Sequence, residues 1–300
     1  VMGRAWWYVV VLLLVLVDTE AKSGKKKNKG KDTDKKPSQG AMLSLLNQEH
    51  IMPYKGKHKG DVGVVLCSGP SLDRYQHEGK DKDGRKIVVL TSNMGFKAKV
   101  PVDYLFVSAG GKGKRLGDGS SYRANAKAMN DFRPRAAKFF SNHALGPGAA
   151  AAGDARAKLY DVDPRVEFQA DVGHRPFGTF HSAAGTFVAM QFALYAGMSR
   201  LYLVGCDASG SGYSRHTGLR DIGPAPQSHF SQAVKEWKAF KLFVGKKFPE
   251  AQVTVLNPVG LKGLGWLEAV GLRLPCVVEE SGPRVTAETD LTNKNFKVKQ

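Results

Sequence analysis

The sequence predicts an α/β fold built on a parallel sheet, and three observations predict it. First, five short runs are mostly apolar and rich in β-branched residues: Val62–Leu66, Lys86–Thr91, Val102–Ser108, Leu201–Val204 and Gln252–Leu256. Strands buried on both faces read this way; half-exposed strands alternate. Second, the first run breaks at Ser68-Gly69-Pro70-Ser71, a set of turn formers that leads toward a helical start. Third, His181–Asp207 runs as small-residue turn, apolar helix, glycine, strand and acidic residue. Strand–turn–helix units of this kind stack into a doubly wound, Rossmann-like layer whose ligands sit at the carboxyl ends of the strands.

Taken in order, the chain opens with Arg4 and then Ala5–Val17, about thirteen apolar residues. That is short of the twenty or so a spanning helix needs. It matches the apolar region of a secretory signal, with Thr19-Glu20-Ala21 as a cleavage site. Residues 1–21 are therefore expected to be a signal peptide or signal-anchor, giving membrane association at most through the N-terminus. Residues 22–40, with eight lysines against two aspartates, read as a disordered linker. The folded domain is expected over 41–271, with a lid at 208–228 and a C-terminal tail at 272–300.

Met42–Gln48 reads as a short amphipathic piece, and His58 and Lys59 lead into the first strand. In the turn after it, Gly69 has no Cβ and lets a backbone or a phosphate come close. Pro70 suits the first helical turn, and Ser71 is a candidate cap. Free N–H groups at such a turn attract anions; the plainer reading is a βα turn without a ligand. The polar stretch Arg74–Arg85 makes a poor crossover helix. The second strand closes at Ser92-Asn93 and the third at Ser108. Gly111-Lys112-Gly113-Lys114 is not a phosphate loop, because Ser108 stands at the first glycine position and Arg115 at the magnesium-binding Ser/Thr position.

Ala124–Arg135 looks helical, Ala137–Phe140 and Val166–Phe168 look like strands, and Gly146–Gly153 is Ala/Gly-rich. Asp161-Val162-Asp163 has a DxD pattern able to hold a divalent ion with diphosphate oxygens. The tripeptide is common by chance and Pro164 follows it, so no metal site is assigned. Further on, Ser182–Thr186 starts a helix through Phe187–Ala196, and Gly197 ends it as a C′ glycine. Asp207 closes the next strand, either as a polar group at the ligand edge or as a cap. Ala208–Gln227 is long and without periodicity, as lids are. It carries Tyr213, Arg215, His216 and Arg220, groups able to close over an anion. Ser228-His229-Phe230 opens a helix whose apolar side is Val234, Trp237, Phe240 and Leu242–Phe243. From Leu272 the pattern is lost.

The formal charge of +18 over 300 residues points to anionic partners. No zinc-finger or RNA-recognition signature accompanies it, so nucleic acid is not expected among them. The three cysteines, Cys67, Cys206 and Cys276, show neither CxxC spacing nor a dense framework. Cys67 and Cys206, each at the end of an apolar run, are expected to be small buried hydrophobes.

Together, the PSL turn after the first strand, SN after the second, the small-residue helix ending in AxxxG, the strand ending G-x-D, the lid, the helix-opening His and the strand ending N-P form an ordered set. It resembles the bacterial lipooligosaccharide sialyltransferases of glycosyltransferase family 42. It is also similar to the motility-accessory-factor glycosyltransferases and the archaeal 6-hydroxymethyldihydropterin pyrophosphokinases. The resemblance covers about Asp61–Gly263 and implies a variant of the glycosyltransferase A architecture. It implies that Ser68, Gly69, Pro70 and Ser71 line the donor phosphate and ribose, that Asn93 and Ser108 bind the nucleotide sugar, and that Ala184, Gly185 and Thr186 contact the base or donor backbone. Asp207 would bind ribose or sugar hydroxyls, Tyr213 would stabilise the leaving phosphate, and His229 would deprotonate the acceptor hydroxyl. An imidazole suits that proton transfer at neutral pH. Cys67 and Ser68 depart from the family's glycine and asparagine, and Ser108 from a second donor-binding asparagine.

The implied activity is transfer of a sugar, sialic acid from CMP-sialic acid being one candidate, to a glycan hydroxyl in the secretory pathway, in the Golgi lumen or at its membrane. No cofactor or metal is implied, since a cytidine monophosphate leaving group needs hydrogen-bond donors. Two alternatives remain: an ATP- and magnesium-dependent pyrophosphokinase-like enzyme, and a non-catalytic basic module for anionic glycans or nucleic acid. Oligomeric state is not readable.

Overall fold

The computed structural model describes residues 43–81, 83–98, 100–107, 136–141, 158–163, 165–179, 184–209, 212–217 and 227–271. The expected signal segment, the linker, the Ala124–Arg135 helix, Ser108, Cys276 and the tail lie outside them. Ala41–Gln300 belongs to one compact unit. Among the described residues no helix is long and apolar enough to cross a membrane.

The chain enters through α1 (Leu45–His50), capped by Ser44, whose Oγ accepts from Asn47 N at 3.1 Å. Next come β1 (Val62–Leu66), β2 (Ile87–Ser92), β3 (Tyr104–Val107), β4 (Ala137–Ser141), β5 (Lys158–Tyr160), β6 (Val162–Asp163) and β7 (Phe177–Gly178). Helix α2 (Ala184–Tyr195), β8 (Arg200–Val204), α3 (Gln227–Lys247), β9 (Gln252–Leu256) and β10 (Leu267–Ala269) complete the domain. Eight strands form one sheet in the order β10-β9-β8-β1-β2-β3-β4-β5, and β6 pairs with β7 apart from it. Every pairing between these strands is parallel. The fold is thus an α/β, Rossmann-like parallel sheet.

Strands β1 and β2 are buried along their whole length, which is why their sequences are apolar runs. One face carries α2 and α3. There Phe187 meets Trp237 and Phe240, with ring centroids 4.8 and 5.1 Å apart, and Phe168 packs edge-on against Phe240 at 4.6 Å. The opposite face bears no long helix after β1 or β2. It is covered by 3₁₀ turns at Pro70–Arg74 and Asn93–Lys97, whose Leu72 and Phe96 enter a second core with Val64, Leu66 and Val89. The poor helical quality of Arg74–Arg85 agrees with this.

Helix α2 ends as Gly197 implies. Gly197 has φ +91°, Gly197 N donates to Leu194 O and Met198 N donates to Ala193 O, the paired bonds of a Schellman cap. One expectation fails, and one strand was not foreseen. Val166–Phe168 is not a strand: Phe168 is a buried plug beneath α2 and α3. And β10, a short edge strand with exposed Leu267, carries no pattern to reveal it.

Candidate functional site

From β1 the chain winds one way, through β2 to β5; β8 returns on the other side of β1 and winds outward to β10. The crossover lies between β1 and β8, the place where an open parallel sheet splits and ligands enter. The turn after β1 and the turn after β8 meet there.

Their union is close and specific. Cys67 N donates to Val204 O at 2.8 Å and Gly69 N to Gly205 O at 2.7 Å, prolonging the ladder past both strands. A Cβ built on Gly69 would collide with the Asp207 carboxylate and the Gly205 carbonyl, so the glycine is required by that approach. Ser71 is not the cap of its own turn. Gly69 occupies the cap position, and Ser71 N donates to Asp207 Oδ2 at 2.8 Å. Asp207 is therefore a cap after all, but of the turn that follows β1, from 136 residues away. Its carboxyl is held above the usual aspartate range by burial, opposed by hydrogen bonding from Ser71 and by the Arg74 charge. Asp207 O in turn accepts from Gly260 N at 2.6 Å, which ties in the segment after β9.

A cavity of about 580 Å³ opens at this edge. Pro70, Ser71 and Arg74 form one wall, Asp207 the floor, and Asn257, Pro258, Val259, Lys262, Glu268 and Val270 the other wall. Arg74 and Lys262 bring positive charge, while Pro258, Val259 and Val270 offer an apolar face. This mixture suits a ligand with an anionic group and a flat or apolar part.

Of the expected lid, 212–217 is docked rather than loose. Ser214 N donates to Ser68 O at 2.8 Å, Ser214 Oγ donates to Asp73 Oδ1, and Arg215 Nε lies 3.7 Å from Asp73 Oδ2. Asp73 thus fastens the lid to the Pro70–Arg74 turn. Tyr213 rests half-buried against the second core.

The structure brings Pro70, Ser71 and Asp207 together around one cavity, with Gly69 packed against Asp207 and Ser68 beside the docked lid. Gly185 and Thr186 stand in the first turn of α2; Thr186 Oγ1 reaches Cys67 Sγ at 3.6 Å. These two lie on the helical face of the sheet, behind the Cys67–Cys206 pair. Asn93 begins the 3₁₀ turn after β2, and His229 lies in the first turn of α3. The side chains of Asn93, Ala184 and His229, like Ser108, fall outside the described residues.

Two findings were not foreseen. Cys67 and Cys206 are not separate hydrophobes: they form a disulfide with Cα atoms 5.1 Å apart. Adjacent strand ends in parallel register place them side by side, which spacing in the sequence could not show. Asp73, Arg74, Ser214, Asn257, Lys262 and Glu268 also went unmarked. Only Asn257-Pro258, read as a strand end, carried any signal.

Among the described residues no group of three or more His, Cys, Asp or Glu side chains could hold a metal ion. In the DxD stretch, Asp161 Oδ2 accepts from Ser44 Oγ at 2.6 Å and Asp163 accepts from Arg165 Nη2 at 2.9 Å. A buried His58 links Asp61 and Tyr104 at 2.9 and 2.6 Å, but at the amino edge of the sheet, away from the cavity.

No protein-family model matches the chain, and no curated protein matches it. Among solved structures it is similar to a MAf glycosyltransferase from Magnetospirillum magneticum AMB-1, at 14% identity and TM-score 0.41, over 77% of this chain and 38% of that one. It is also similar to a variant of the sialyltransferase CST-II in complex with CMP, at 12% identity and TM-score 0.34, over 65% of this chain and 80% of that one. The chain thus spans well under half the length of the first.

Proposed function

We propose that this protein is a glycosyltransferase that moves a sugar from a nucleotide donor to a glycan hydroxyl. The observation that carries the reading is the meeting of the Gly69–Ser71 turn and Asp207 over one cavity at the strand crossover. Such crevices bind nucleotides in open parallel sheets. The ordered motifs add the chemistry. Ser68 to Ser71 bind donor phosphate and ribose, with Asn93, Ser108 and the Ala184–Thr186 turn completing the donor site. Asp207 accepts from a sugar hydroxyl, and Tyr213 steadies the leaving phosphate. His229 removes the acceptor proton, which makes the hydroxyl oxygen a better nucleophile as the bond to the leaving phosphate breaks. A cytidine monophosphate donor, with sialic acid as its sugar, is the specific form of the proposal. No cofactor or metal is assigned. The Cys67–Cys206 bridge supports an oxidising compartment, in keeping with a secretory location and the expected signal segment.

Thermal shift against CMP, UDP, GDP, ATP with magnesium, and heparin tests the ligand class, because a ligand bound only by the native state raises the melting point. Stabilisation by CMP is expected. Stabilisation by ATP and magnesium alone would instead favour a pyrophosphokinase-like enzyme, and by heparin alone a binding module. His229→Ala is expected to abolish transfer while CMP still binds; unchanged turnover removes the base assignment.

A further inference from the structure

The disulfide sits at the point the proposed function depends on. Cys67 and Cys206 follow directly on β1 and on Gly205 after β8, and each directly precedes a half of the site: Ser68-Gly69-Pro70-Ser71 on one side, Asp207 on the other. The β8 turn is bent at both ends, with Gly205 at φ +71° and Ala208 at φ +43°. The left-handed region is disfavoured for alanine and persists only where surroundings enforce it. What encloses this turn is a short set of links: Gly69 N to Gly205 O, Ser71 N to Asp207 Oδ2, Gly260 N to Asp207 O, and the bridge.

Both cysteines are buried, at 8% and 7% exposure. Thr186 Oγ1 closes over Cys67 Sγ from the start of α2. Bonded sulfurs lie about 2 Å apart. Two thiols need about 3.5–4 Å, the spacing of non-bonded heavy atoms. In a packed layer that increase is taken up by side-chain rotation or by movement of the two turns, and the turn past Gly205 is held by few other links.

We propose that the Cys67–Cys206 disulfide is a redox-sensitive clamp on the candidate site: intact, it holds the Gly205–Ala208 turn against Gly69–Ser71 with Asp207 at the cavity floor, and its reduction frees that turn and weakens nucleotide binding. The ligand half of this statement rests on the nucleotide reading above. The chemistry is thiol–disulfide exchange with a dithiol. One reductant thiolate attacks a bridge sulfur, the S–S bond breaks and a mixed disulfide forms. The second reductant thiol closes on the first, leaving two cysteine thiols and an oxidised, cyclic reductant, with two electrons and two protons transferred.

The test uses the full chain in three forms: oxidised, reduced with dithiothreitol, and a Cys67→Ser/Cys206→Ser double variant, which covers resistance of the buried bridge to the reagent. Amide hydrogen exchange is read at Gly69, Ser71 and Gly260, whose N–H groups bond across the clamp, and at Val64 and Leu203 inside the strands. CMP affinity is read by calorimetry. Loss of the bridge is expected to speed exchange at the first three amides at least tenfold more than at the two strand amides, which follow the loss of global stability alone, and to raise the Kd for CMP about tenfold. The double variant is expected to ignore dithiothreitol in both readings. The proposal is overturned if the unreduced protein carries both cysteines as free thiols, if the three amides keep their protection, or if strand amides accelerate equally, which would make the bridge a plain staple of the fold. If CMP binds neither form, the nucleotide reading fails and exchange alone decides the clamp.

Discussion

Asp207 shows how one side chain can serve a site at the expense of the fold. Burial raises its carboxyl pKa above the unfolded value, which is about 3.9. Folding therefore favours the protonated form. The stability this confers is complete below the unfolded value and is lost as pH rises through the higher folded value. At pH 7 the ionised carboxylate destabilises the domain. Asp207→Asn keeps an oxygen for Ser71 N and removes the charge, so its melting temperature is expected to exceed that of the parent at pH 7, with the gap closing toward pH 4. Melting curves between pH 3 and 8 measure this; a lower melting temperature at pH 7 contradicts it. If the carboxylate binds a sugar hydroxyl, the same change weakens CMP binding about tenfold or more, the worth of a charge-assisted hydrogen bond of about 1.5 kcal/mol or more. Gly69→Ala acts on the same contact from the other side. Its Cβ would meet the Asp207 carboxylate and the Gly205 carbonyl, at a cost of about 1–3 kcal/mol, read as a lower denaturant midpoint. The role of Gly69 was legible as a glycine in a turn. The identity of its neighbour was not, because Asp207 arrives from a distant part of the chain.

At the scale of elements, the 3₁₀ turn Pro70–Arg74 does two tasks: Leu72 anchors it in the second core and Asp73 holds 213–217. Asp73→Ala removes the acceptor for Ser214 Oγ and Arg215 N and the partner of the Arg215 guanidinium and the His216 imidazole. The 213–217 segment is then expected to become a preferred site of limited proteolysis, with cleavage at Arg215 by trypsin rising several-fold while the melting temperature moves little. Equal cleavage in both proteins would show that Asp73 does not fasten the lid. Elements differ in how plainly they announce themselves, for a physical reason. Strands β1, β2, β8 and β9 are buried over most of their length, so they are written as mostly apolar runs. Helix α2 is as apolar, and only its C′ glycine and length separate it from a strand. Strand β10 pairs on one side alone and spans three residues, too few to set a period. Val166–Phe168 misleads because one well-buried ring, Phe168, makes a short segment look like a strand.

Over the whole molecule, the sheet is assembled from contacts that are distant in sequence, and the Cys67–Cys206 bridge fixes the most consequential of them. It joins residues 139 apart and closes the loop that contains β2 through β8. In the unfolded chain such a closure removes conformational freedom, an effect of about 2–5 kcal/mol. Reduction is thus expected to lower the melting temperature by roughly 10 °C, taking 2–4 °C per kcal/mol for a domain of this size. This global effect is separable from the clamp. It acts through the unfolded state and shows in melting curves whether or not a ligand is present; the clamp acts on native amides far below the melting point. A Cys276→Ser variant should melt like the parent and lose the same amount on reduction, since Cys276 takes no part in the bridge. If reduction leaves the melting temperature unchanged while free-thiol titration shows that the bridge has opened, then the freedom gained by the unfolded chain is offset in the native state. The native sheet would have to be relieved of strain by an equal amount, and exchange at Gly69, Ser71 and Gly260 would locate where that relief occurs.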